Sequence, residues 1–184
     1  MTGRSLNRDH WRPVAKLAIP TILVEVFEYA HILSAMGWLG GGILTTFVLG
    51  PNLVKLPPPA SLAFSARIMP RITRFVSMMA ASTLLFGFLL LYALTGGDLT
   101  YFTSPEGMTL SAGIGLALVA AVIALGVTIP SFNRASAIAS QLLEGGQQAP
   151  PPELKKYMTR ARRGSLVAFV LLLVVVAAMV AAGY

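Results

Sequence analysis

The stretch from Tyr29 to Val54, YAHILSAMGWLGGGILTTFVLGPNLV, decides the fold, because 26 consecutive residues pass without an acid, a lysine or an arginine. A helix that crosses a bilayer needs about 20 predominantly apolar residues. Three more charge-free intervals follow, Phe75 to Gly97, Gly107 to Asn133 and Gly164 to Tyr184, each of that length and none long enough to cross twice. Lipid offers no partner to backbone amides and the apolar runs show no strict alternation, so the spans are helices and a barrel is set aside. The first interval begins too late, after a polar stretch with Asp9, Glu25 and Glu28, and runs too long for a cleaved signal peptide. The expectation is an all-α integral membrane protein: an antiparallel four-helix transmembrane bundle forming one domain over residues 1–184, with spans near 22–50, 72–96, 109–131 and 164–184.

Composition agrees with that class. Of 184 residues, 55% are hydrophobic and 11% charged, and mean hydropathy is +0.73, which departs from soluble domains in the membrane direction. The absence of cysteine excludes disulfides, a covalently attached c-type haem and thiolate metal sites. Histidine, methionine and carboxylates remain as ligands.

The net charge of +7 is unevenly placed. Lys55, Arg67, Arg71 and Arg74 follow the first span, and Arg134, Lys155, Lys156, Arg160, Arg162 and Arg163 follow the third, whereas Asp98 to Glu106 holds no basic residue. By the positive-inside rule the first and third loops are cytoplasmic and both termini lie outside the cytoplasm of a multi-pass cell-membrane protein. Arg4, Arg8, Arg12 and Lys16 pull the other way, four against ten. The basic balance is thus a topology signal, and a nucleic-acid partner is not needed to explain it; the bilayer itself is the expected partner.

The connections carry their own signals. Ala135, Ile138, Ala139, Leu142 and Leu143 continue the third helix past the membrane until Gly145 and Gly146 stop it. Gln147 to Pro152 reads as a stiff linker, and Lys155 to Arg163 as the basic, headgroup-level start of the fourth helix. Pro57, Pro58 and Pro59 stop the first helix, and a helical run from Ala60 is expected to kink at Pro70.

An ionisable ring within a span is a functional-site hypothesis, and histidine is a common haem ligand. His31 is that residue. Ser34, Ala35, Trp38 and Gly41 or Gly42 share its face at helical spacing and form a small-residue groove that suits a planar macrocycle or a packed helix. The plainer reading is a neutral His31 bonded to a neighbour such as Tyr29 or Ser34. His10, the second histidine, precedes the bundle and reads as a solvated residue.

His31, Trp38, Leu39, Gly40 and Gly41 resemble the first-helix signature of a group of small membrane proteins: the CopD-like copper-resistance proteins, the membrane part of PuuD-type urate oxidases, and the HemJ-type protoporphyrinogen oxidases. The run Arg67-Ile68-Met69-Pro70-Arg71, with Leu84-Leu85-Phe86-Gly87, is similar to the next helix of that group. The resemblance covers residues 26–97 and implies that His31 ligates a haem b, with Trp38 and Gly41 in its cofactor-binding face. It departs from the HemJ pattern in the third helix, where Gly107 to Asn133 contains no lysine, so the chain is not expected to be an enzyme on its own.

With no second histidine in the spans, a sixth ligand from the same chain would be a methionine; a five-coordinate haem and a His31 pair across a dimer are the other arrangements. Met179 lies about 22 Å beyond Gly164 at 1.5 Å per residue, near the level of His31, and Met108 at the start of the third span is a weaker candidate. Flexible apolar packing is the plainer role for both. Glu25 and Glu28 read as solvated carboxylates, and Arg67, Arg71 and Arg74 as headgroup anchors. The expected function is a membrane b-type haem protein in electron transfer or redox sensing, alone, as a homo-oligomer or within a larger membrane redox complex. The alternative is a haem-free accessory or assembly subunit. HemJ-like oxidation and CopD-like copper transport rank behind these.

Overall fold

The computed structural model describes residues 19–146 and 150–181, and every regular element among them is helical. His10, the four N-terminal basic residues and the start of the Gln147 to Pro152 linker lie outside the described residues.

Helix α1, Thr21–Ile43, runs on through a π-helical segment, Leu44–Leu49, into the last turn α2, Gly50–Leu53. Pro57, in extended conformation, separates it from α3, Pro58–Arg67, whose first turn contains the prolines that a helix tolerates there. A junction at Ile68 then begins α4, Met69–Thr95. Pro70 therefore sits in the first turn of α4, where its missing N–H costs nothing, two residues after the one irregular turn of this helical run. Gly96 and Gly97, at φ 61° and 83°, end α4 in the left-handed region that favours glycine.

A 3-10 turn, Leu99–Thr103, leads to α5, Pro105–Ile123, where the Ser104 hydroxyl accepts the Gly107 N–H as an N-cap. A second π segment, Ala124–Thr128, joins α5 to α6, Ile129–Glu144, which ends at Gly145 and Gly146 as the glycine pair requires. The chain finishes its described course in α7, Pro152–Ala181.

These elements form four continuous rods, Thr21–Leu53, Pro58–Thr95, Gly107–Glu144 and Pro152–Ala181, long and apolar enough to cross a membrane. A 33-residue rod is about 50 Å long against a hydrocarbon core of about 30 Å, so the rods outrun a bilayer. The excess carries the basic residues Arg67, Arg134 and Lys155 to Arg163.

Two kinds of core follow from that division. In the apolar region, α1 packs along α4 and α5 along α7, around Trp38, Ala80, Ala120, Ala121, Ala124 and Ala168. Small side chains let backbones approach where lipid supplies no hydrophobic drive between helices. Gly41 lies beneath Val76 and Gly164 beneath Thr128, each so close that a Cβ would stand 2.5 Å from the neighbour. In the basic extension, α3, α6 and the start of α7 enclose Leu62, Ala135, Ala139, Leu142 and Leu154, a leucine-containing core of the soluble kind.

Candidate functional site

Hydroxyls inside an apolar span need partners, and here most find one on their own helix. Ser34 donates to the Ala30 carbonyl, Thr83 to Met79, Ser111 to Gly107 and Ser131 to Val127, each four residues back. His31 takes another solution. Its Nδ1 lies 2.8 Å from the backbone carbonyl of Thr83 on α4, so the partner is on the facing helix and not Tyr29 or Ser34.

That bond fixes the chemistry of the ring. A carbonyl can only accept, so Nδ1 carries the proton and the lone pair of the neutral ring resides on Nε2. The same edge rests on Gly87, where a Cβ would stand 2.8 Å from Cε1 and 2.9 Å from Nδ1, with Nε2 the more distant atom at 3.9 Å. Thr83 and Gly87, one turn apart on α4, thus form the seat of a half-buried imidazole. Sequence reasoning picks out Gly87 without tying it to the ring and passes over Thr83. The available signal is Gly87 alone, because the Thr83 hydroxyl is spent on the Met79 carbonyl and the atom that holds the ring is backbone.

Trp38 follows His31 by seven residues, two helical turns, and is buried at 3% exposure. It lines a cavity of about 50 Å³ together with Thr45, Thr73, Thr128, Ser165 and Leu172. The two π segments meet this cavity, with Thr46 and Ser165 sharing a hydroxyl–hydroxyl bond of 2.6 Å beside it. Its size suits water, not a macrocycle.

Met179 follows Leu172 by the same seven residues on α7. His31 and Met179 therefore extend, by two turns each, the helix faces that Trp38 and Leu172 present to one cavity. Among the described residues α5 makes no extended close approach to α1 or α4, and α1 with α7 supplies contact between the two helix pairs. Met179 rests its methyl against Gly113 of α5, 3.7 Å from where a Cβ would be. Met108 is exposed at the start of α5. Gly41 is occupied by Val76 at the α1–α4 crossing.

The donor set suits a b-type haem in kind: an imidazole oriented by a carbonyl, as metal-bound histidines usually are, and a thioether on the facing pair. Glu25, Glu28 and the Arg67, Arg71 and Arg74 set are exposed. Among the described residues, no three of His, Cys, Asp and Glu gather as a metal cluster. No family model, curated protein or solved structure matches the chain.

Proposed function

We propose that the chain is a multi-pass membrane protein that holds a b-type haem at His31 and serves in electron transfer or redox sensing. The observation that carries this reading is the Nδ1–H···O=C bond to Thr83, which orients the ring and leaves Nε2 to ligate. The iron would lie beyond the Trp38 layer, between the α1–α4 and α5–α7 pairs, with Met179 as sixth ligand. Haem supplies one-electron chemistry when bound; the chain's role is to orient the imidazole, present the thioether and surround both with apolar side chains.

The bundle is antiparallel in this reading. His31 meets Gly87, Gly37 meets Met79 and Gly41 meets Val76, so numbers fall along α4 as they rise along α1. The basic extension faces the cytoplasm by the positive-inside rule, with both termini outside and His31 in the outer half.

Purified protein from haem-supplemented cells should show a Soret band and b-type reduced bands, and His31→Ala should lose the pigment from an assembled bundle. Met179→Leu should keep the haem but lower its potential or raise its spin, because leucine preserves volume without sulfur. A colourless wild-type protein would overturn the reading. It would favour the second one, a haem-free subunit of a membrane complex, which rests on the same ring: packed on Gly87 and bonded to Thr83, His31 already serves to join α1 to α4.

A further inference from the structure

Gly40 has no explanation inside the chain. Gly37 and Gly41, on either side of it in the GWLGG run, make room for Met79 and Val76, but a Cβ at Gly40 would meet nothing within 4 Å. The residue faces a groove of about 500 Å³ along the outer seam of α1 and α4, bordered by Met36, Leu44 and Phe75 and floored by Gly37, Gly40 and Gly41. One lining side chain is charged, Arg71, and no lining residue is acidic.

The position of Arg71 gives the groove a direction. It lies four residues before Phe75, the first residue of the charge-free interval in α4, and within the basic set Arg67, Arg71 and Arg74. That is headgroup depth, whereas Gly40, Gly37 and Met36 lead away from it along α1 into the apolar region. A cation at the boundary with an apolar channel running inward matches the two ends of one molecule. Basic residues at this level attract anionic headgroups by about 1 kcal/mol each.

We propose that this groove binds an anionic phospholipid, with the phosphodiester against the Arg71 guanidinium and an acyl chain over Gly40 and Gly37. The guanidinium offers parallel donors to phosphate oxygens, and the glycine floor lets the chain lie against backbone. Phosphatidylcholine carries the same phosphodiester and acyl chains, but its choline cation offsets the charge that Arg71 meets, so its hold is weaker.

Full-length protein is reconstituted in nanodiscs of mixed phosphatidylglycerol and phosphatidylcholine, released, and the retained lipid counted by native mass spectrometry. Phosphatidylglycerol should be retained in preference. Arg71→Gln should reduce that preference about fivefold, the equivalent of ~1 kcal/mol. Gly40→Leu fills the groove where the structure leaves open space, so it should fold normally and retain neither lipid there. Gly115→Leu, at another glycine with nothing within 4 Å, should change nothing. Equal retention of both lipids by the wild type, or unchanged preference in Arg71→Gln and Gly40→Leu, would overturn the proposal. So would inorganic phosphate displacing the lipid, which would mark a free-anion site. A wild-type dimer that Gly40→Leu converts to monomer would assign the groove to a second copy instead.

Discussion

Gly87→Ala tests the seat of His31. The added Cβ would stand 2.8 Å from Cε1, where ordinary contact begins at 3.4 Å, so the ring must withdraw by about 0.6 Å. An imidazole can swing away, but a swing in that direction stretches the 2.8 Å bond to Thr83 towards about 3.4 Å and weakens it. Interhelical hydrogen bonds in membranes are worth about 0.6 kcal/mol on average and up to about 1.7. Overpacking adds about 1 kcal/mol or more. Alanine also favours helix over glycine by up to ~1 kcal/mol, and that gain acts whether or not the ring is present. A double-mutant cycle removes it. Reversible unfolding in sodium dodecyl sulfate should show Gly87→Ala destabilising the wild type by about 1 kcal/mol while leaving His31→Ala unharmed or more stable, a coupling of about 1–2 kcal/mol. Equal effects in the two backgrounds would refute the seat, and with it the orientation of Nε2 on which the haem reading depends.

Two further outcomes test other regions of the molecule. In intact cells, a cysteine replacing Leu99 should react with an impermeant maleimide and one replacing Glu144 only after permeabilisation, since the basic residues flank the latter; the reverse pattern would invert the bundle and move His31 to the cytoplasmic leaflet. The Asp98 carboxyl is held below its usual value by the backbone N–H of Thr100 and then by its hydroxyl. The lowered value means that the stabilisation is present above the unfolded-state pKa and lost as pH falls through the folded one. Thr100→Val should raise the Asp98 midpoint in an NMR titration while the N–H bond keeps some of the depression, and an unmoved midpoint would count against the hydroxyl's share.

The four spans are legible in the sequence because charge-free length is a one-dimensional property, and Gly145 with Gly146 ends α6 where a stop is expected. The helical run from Ala60 is interrupted at Ile68, two residues before Pro70, and the sequence marks the proline without saying which residue ahead of it gives way. The face of α1 holding His31 and Trp38 is visible in its seven-residue spacing. What the histidine bonds to is not, because Thr83 is 52 residues away and its backbone carbonyl, the actual acceptor, has no signature in residue type. The π segments are hidden similarly. Leu44–Leu49 and Ala124–Thr128 contain ordinary span residues, and their wider register shows only in bonds such as the Thr128 hydroxyl to Ile123, five residues back.

The two ends of the bundle differ in how a bound group would be tolerated. At the basic end, α6 packs against α3, α4 and α7, Thr46 is bonded to Ser165, and Gly164 is pressed onto Thr128; displacement of any helix breaks contacts with several others. The other end holds His31: α1 is bonded to α4 through it, α5 packs on α7 at Gly113, and α1 with α7 joins the two pairs. A planar group entering there would separate the pairs from each other while the bonds inside each pair stay intact. The alanine layer at Ala80, Ala120, Ala121, Ala124 and Ala168 would stop it from going deeper, because the cavity that the layer borders, about 50 Å³, has room for water and not for a macrocycle. His31 stands above that stop and Trp38 within it. A ligand carried two turns farther along α1, at the position of Trp38, would face that layer, whereas His31 stands two turns clear of it.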